Sequence, residues 1–255
     1  MNHLKKLLFC CMLVALTATA AFPQETKNAL LIANGGYARD MGALKQSIPE
    51  AQALKSALES IGFDVTLVKN ANLEDMQKAL AAFKVKTQSE GGIAFFHYGG
   101  HAVQVNGINY LIPLKARLED ADDVTYKTLN VDLLMDSIKG DANIVIFDFS
   151  RNNLFAQSIR HGTGTHGLAT VGINPPNSII VYSAAAGEEA ADGLFTSILT
   201  KLITQKNKKI ETVLKEVRNE VFKQTGGNQN PVEYSLLISS VYLTGQKKSG
   251  SYQTE

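Results

Sequence analysis

Two kinds of apolar run alternate along this chain. The first kind is near-continuous: residues 28–33, Ile93-Ala94-Phe95-Phe96, Ile144-Val145-Ile146-Phe147 and residues 178–183. A strand covered on both faces reads this way, because neither face has to meet water. The second kind is spaced at the helical period. Ala53, Leu54, Ala57, Leu58 and Ile61 follow a Pro49-Glu50 start and are closed by Gly62, and Leu73, Met76, Leu80 and Phe83 repeat the period over residues 72–84. Residues 194–204 and 210–222 predict two more helices, residues 63–68 alternate as a strand, and residues 236–243 predict a last apolar strand. The order β-α-β-α-β predicts an α/β fold with a mostly parallel central sheet and helices on both faces.

Turn residues punctuate these runs. Asn34-Gly35-Gly36 ends the first strand, and Asn106-Gly107 between residues 103–105 and 108–112 predicts a small antiparallel hairpin. A helix near residues 130–139 then leads into the strand at 144–147. Beyond Asn153 the chain runs polar and glycine-rich to Pro175-Pro176 without periodicity, which predicts a long loop.

Composition adds an address and removes several chemistries. The 255 residues are 45% hydrophobic, enough for one α/β domain, expected over residues 27–244 with a polar, disordered tail at 245–255. Residues 1–20 read as an export signal: Lys5-Lys6, an apolar stretch from Leu7 to Leu16, then Ala18-Thr19-Ala20 as a cleavage site. The expected location is secreted or periplasmic, and no later run is long enough for a transmembrane helix. Cys10 and Cys11 are the only cysteines, so the processed chain has no thiol for a disulfide or a nucleophile. Processing also removes Lys5 and Lys6 and no acid, taking 25 basic against 24 acidic side chains to 23 against 24, a balance that gives no reason to expect nucleic acid.

Candidate chemistry gathers at two strand ends. One strand closes on His97-Tyr98-Gly99-Gly100-His101-Ala102, the other on Asp148-Phe149-Ser150-Arg151. If the strands are parallel neighbours their carboxyl ends adjoin, which is where open α/β sheets collect functional groups, and His101 can face Ser150. Asp148, two residues before Ser150, points to the same face. No metal or cofactor is expected. His97 and His101 are separated by strand and glycine rather than by a helical turn, His161 and His166 lack a third ligand, and residues 119–123 read as a solvated acidic loop.

These stretches resemble the caspase/metacaspase clan of cysteine peptidases (peptidase C14), in its bacterial form. Seven blocks occur in the clan's order: residues 29–34, Glu50-Ala51, 62–65, 98–102, 107–113, 148–153 and 181–185. The resemblance implies the caspase-hemoglobinase fold, with His101 as the catalytic histidine and Ser150 where the clan has its cysteine. Ala102 falls at the oxyanion-hole position, where the clan has glycine, and Gly99 replaces a serine. Asp148 and Glu50 correspond to acids that floor a pocket for a basic side chain, and the 151–177 loop to a segment cut during maturation, with Arg160 as the candidate site.

The departures shape the functional expectation. A thiol is partly ionised near neutral pH, whereas a hydroxyl normally needs a histidine oriented by a carboxylate and a formed oxyanion hole. If the oxyanion position requires positive φ, Ala102 strains it. The leading expectation is an inactive pseudo-peptidase that keeps a groove for peptides or proteins carrying Arg or Lys. The alternatives are an active hydrolase using Ser150 and His101, and a structural or assembly protein with a vestigial groove.

Overall fold

The computed structural model describes residues 25–39, 41–149 and 175–245. The export segment at 1–20, Ser150, Arg160, His161, His166 and the tail from residue 246 lie outside the described residues. In chain order the elements are β1 (Lys27–Ala33), α1 (Ser47–Ser60), β2 (Asp64–Lys69), α2 (Leu73–Glu90), β3 (Ile93–Gly99), β4 (Ala102–Val105), β5 (Ile108–Leu111), α3 (Ala121–Lys127), β6 (Leu129–Asn130), α4 (Val131–Met135), β7 (Ala142–Asp148), β8 (Ser178–Tyr182), α5 (Leu194–Leu202), α6 (Ile210–Gln224) and β9 (Val232–Ser235).

Among the described residues, six strands form the main sheet in the order β2-β1-β3-β7-β8-β9, parallel except for β9. Alternate residues of the central strands serve two separate cores. Leu31, Phe95, Ile144, Ile146, Ile179 and Val181 pack with Leu54 and Leu58 of α1, Phe195 and Leu199 of α5, and Val213 and Val217 of α6. Leu30, Ile32, Phe96, Val145, Phe147 and Ile180 pack on the other face with Met76, Leu80 and Phe83 of α2 and Leu134 and Met135 of α4. Both faces are thus buried, which is why these strands are apolar without alternation.

The parallel register brings the two chemistry-bearing strands level. β3 pairs with β7 so that His97 lies opposite Ile146 and Gly99 opposite Asp148. The expected hairpin forms from β4 and β5, with Asn106 and Gly107 both at positive φ (51° and 80°), as a two-residue primed turn requires.

Two expectations are corrected. Residues 236–243 do not form a strand: the edge strand is β9, just upstream. Because β9 runs antiparallel to β8, it meets the start of β8 as it ends. Leu236 N still donates to Ser178 O at 2.7 Å, and after that β8 offers no further partner. Leu236 and Ile238 then project outward, while Val241 and Leu243 return to the core. The acidic residues 119–123, expected as a loop, contain the start of α3: Asp120 accepts a hydrogen bond from Asp123 N at 2.8 Å, capping the helix.

Candidate active site

Past Gly99 the chain leaves the sheet through a crowded turn. Gly100 N donates to Asp148 O at 3.4 Å, and a Cβ on Gly100 would stand 2.5 Å from Tyr98 Oη and 2.8 Å from Tyr37 Oη. Those hydroxyls hold the next residue. Tyr37 Oη accepts from His101 N at 3.0 Å and donates to Ile112 O at 2.8 Å, while Tyr98 Oη lies 2.8 Å from His101 O. Burial pushes the Tyr37 hydroxyl up to about 12 and Tyr98 upward as well, so both remain protonated. Gly100→Ala should therefore lower stability by about 1–3 kcal/mol, as overpacking does, in a urea denaturation experiment; an unchanged midpoint would mean that the tyrosines are not held in place.

His101 is 8% exposed and stacks at a tilt on Tyr37, with ring centroids 4.5 Å apart. Its Nε2 lies 2.8 Å from Gly42 O. A carbonyl only accepts, so Nε2 carries the hydrogen and Nδ1 holds the lone pair. Burial lowers the ring's pKa, opposed by the Gly42 carbonyl, the Asp192 charge and the Met41 carbonyl. Burial thus favours the neutral ring, the state a general base needs, and the carbonyl of Gly42 rather than a carboxylate orients it.

The expected strain at Ala102 is absent. Ala102 is an ordinary strand residue of β4, outside the positive-φ region, with its methyl buried in the core beside Leu111 and Phe149. Ile112 N donates to His101 O at 2.9 Å, which makes 101–112 a hydrogen-bonded pair, so the next pair, Ala102 with Leu111, is not one. The Ala102 N–H consequently points away from β5. Alanine fits here because the strand conformation, rather than a left-handed turn, aims the amide.

Three carboxylates share the cleft beside His101: Glu50 in the first turn of α1, Asp148 at the end of β7, and Asp192 just before α5. The sequence reading included the first two and missed Asp192. Its carboxylate accepts from Gln46 N at 3.0 Å, tying the start of α1 to the start of α5. Gly193 makes that approach possible at φ 74°, since a Cβ there would stand 2.5 Å from Gln46 Cβ and 2.9 Å from Glu50 Cγ. Its only sequence signal was an acid followed by glycine before a helical run, which is common at helix starts.

Neighbouring carboxylates disfavour the charge of Glu50 and of Asp148. Burial raises the Glu50 pKa, Lys201 opposes this, and Asp148 and Asp192 add to it. Burial likewise raises Asp148, opposed by hydrogen bonds from Thr196 and Ser183 and reinforced by Asp192. Thr196 Oγ1 is 2.5 Å and Thr196 N 3.3 Å from Asp148 Oδ2. His97 is 1% exposed with Nε2 2.8 Å from Thr196 Oγ1, and burial holds its pKa down to about 3. Among the described residues, no group of three or more His, Cys, Asp or Glu side chains is arranged to hold a metal ion, and no helix is long and apolar enough to cross a membrane.

A mostly parallel sheet with helices on both faces, a buried histidine past one strand and an acid at the end of its neighbour is consistent with a caspase-like α/β fold. The family model for the caspase domain, Peptidase_C14, matches residues 26–242, and the chain belongs to that family. No curated protein matches the chain. Phe149, the last described residue of this segment, lines the cleft, and Ser150 follows it directly in sequence.

Proposed function

We propose that this protein is an exported caspase-domain pseudo-peptidase that binds peptides or proteins through an Arg or Lys side chain seated in the acidic cleft and does not cleave them. One observation carries this reading: Glu50, Asp148 and Asp192 converge on a single cleft beside His101. Their mutual repulsion is relieved by a cation, and a guanidinium can bridge carboxylates with charge-assisted hydrogen bonds. The chemistry of the nucleophile position disfavours turnover. Position 150, where the resemblance places the nucleophile, is serine, and the histidine available to it is oriented by the Gly42 carbonyl rather than by an acid.

Calorimetry with a tetrapeptide ending in arginine amide and its counterpart ending in aspartate amide tests the binding. The arginine peptide should bind at least about tenfold tighter, with the margin shrinking at high salt and in Asp148→Asn. Equal affinities, or a preference that survives Asp148→Asn, would remove the reading. A hydrolase using Ser150 is the second reading, favoured by the neutral His101 with its lone pair on Nδ1.

A further inference from the structure

We propose that His97 and Thr196 are positioning residues that fix the charge preference of the cleft, through a one-way hydrogen-bond chain running from His97 Nε2–H to Thr196 Oγ1–H to Asp148 Oδ2. The proposal rests on the reading of the cleft as a site for a basic side chain, and it names what holds Asp148 in the state that such a ligand requires.

The direction of the chain follows from counting hydrogens. Thr196 has one hydroxyl hydrogen, and its Oγ1 has two close polar neighbours, His97 Nε2 at 2.8 Å and Asp148 Oδ2 at 2.5 Å. Thr196 N–H also points at Asp148 Oδ2 from 3.3 Å, so that oxygen accepts. A contact of 2.5 Å is in the range of a hydroxyl donating to a charged carboxylate. The hydroxyl hydrogen therefore goes to Asp148, and Thr196 Oγ1 accepts from His97. The opposite direction would put the imidazole hydrogen on Nδ1, which is buried without a hydrogen-bond partner. An orphaned N–H is a rarer burial than an under-used acceptor.

The arrangement is held from both ends. His97 comes from β3, Asp148 from the neighbouring β7, and Thr196 from the first turn of α5, where the backbone N–H groups and the helix dipole also favour an anion. Gly99 lies against the imidazole: a Cβ there would meet His97 Cε1 at 3.4 Å and Ser47 Oγ at 3.1 Å. Donors directed at Asp148 from beneath favour its ionised form, leaving its remaining lone pairs for a ligand. A neutral side chain of the same shape gains less from such an acceptor. Thr196, directly, and His97, through the Thr196 hydroxyl, thus add to the Ser183 hydrogen bond in favouring the charged carboxylate.

The test compares the tetrapeptide ending in arginine amide with the same peptide ending in citrulline amide, a neutral analogue of nearly equal shape, by calorimetry on the purified chain. Wild type should favour arginine. Thr196→Val should reduce the arginine-to-citrulline ratio roughly tenfold while leaving citrulline affinity nearly unchanged, and Thr196→Ser should restore it. His97→Phe should lower the ratio in the same direction. The pH profile gives a second readout. Glu50, Asp192, His97 and His101 face Asp148 from the surrounding elements, with Lys201 acting on Glu50, and none of these changes in Thr196→Val. That variant should move the acid limb of arginine-peptide affinity to higher pH, because the hydroxyl donor to Asp148 is gone while the residue-196 N–H and Ser183 remain. A merely structural Thr196 would weaken both peptides alike and leave the acid limb in place, and that result would overturn the proposal. If Thr196→Val loses its cooperative melting, Thr196→Ala against Thr196→Ser is read by the same ratio. A wild type indifferent to arginine or citrulline would fell the cleft reading and this proposal together. A wild-type preference lost in Asp148→Asn but intact in folded Thr196→Val would fell this proposal alone.

Discussion

Ser150→Cys is expected to gain turnover of an arginine-directed fluorogenic peptide, the natural chain is expected to show none, and His101→Ala in the cysteine variant is expected to abolish the gain. The reason is the difference between the two nucleophiles. A thiol ionises near pH 8.5 and attacks well with only a neutral imidazole beside it, whereas a serine hydroxyl needs a stronger base assembly. His101 supplies the neutral imidazole: buried, fixed by Gly42 O, with Nδ1 unprotonated. Its loss from the cysteine variant should cost about 10²–10⁴ in rate, the usual range for a general base. Ala102→Gly should add nothing to this gain, because Ala102 sits unstrained in β4 and its buried methyl helps to fill the core. Wild-type turnover that disappears in Ser150→Ala would establish the serine-hydrolase reading instead. A silent Ser150→Cys variant would leave the groove vestigial.

The second large effect is on binding. Glu50→Gln combined with Asp148→Asn should weaken the arginine-terminated peptide by on the order of 100-fold, since two charge-assisted acceptors are removed. The pH dependence has a definite sign. Both carboxyl pKa values are raised in the fold, while arginine stays cationic throughout, so affinity should fall with decreasing pH, starting above the ordinary carboxylate range. The double variant should lose most of this dependence, Asp192 alone remaining in the cleft. The same shifts act on stability in the opposite sense. A carboxyl raised in the folded state binds its proton more readily there than in the unfolded chain, so its contribution to stability falls as pH rises from the unfolded towards the folded pKa. Glu50→Gln should therefore leave the protein at least as stable at pH 7 while weakening the ligand. Isothermal calorimetry across pH, paired with thermal denaturation of Glu50→Gln, checks both signs, and affinity independent of pH from 7 to 4 would contradict the charge argument.

The strands and the pairing of the two site-bearing strands were legible because burial on both faces leaves an unbroken apolar signature in Ile93 to Phe96 and Ile144 to Phe147. Position then followed from topology, and Glu50 and Asp148 both line one cleft. What escaped has no local signature. Asp192 lies 142 residues beyond Glu50 and joins it only because α1 and α5 start side by side. Tyr37, Gly42 and Thr196 act through a hydroxyl or a carbonyl, groups too common along any chain to stand out. The reading of Ala102 failed for another reason: the glycine of the family pattern suggested a left-handed backbone, but the hairpin carries this residue as plain strand. Residues 236–243 misled because apolar composition says that a segment is hydrophobic, not that a strand remains beside it to pair with.

The most direct measurement of the central claim is a crystal structure of the chain with a peptide ending in arginine amide. The guanidinium is expected within hydrogen-bond distance of Asp148 and Glu50, on the cleft side of His101, with Thr196 still bound to Asp148 Oδ2. A peptide seated elsewhere, such as the α5–α6 groove beside Lys201 and Glu220, or an arginine side chain pointing to solvent, would contradict it.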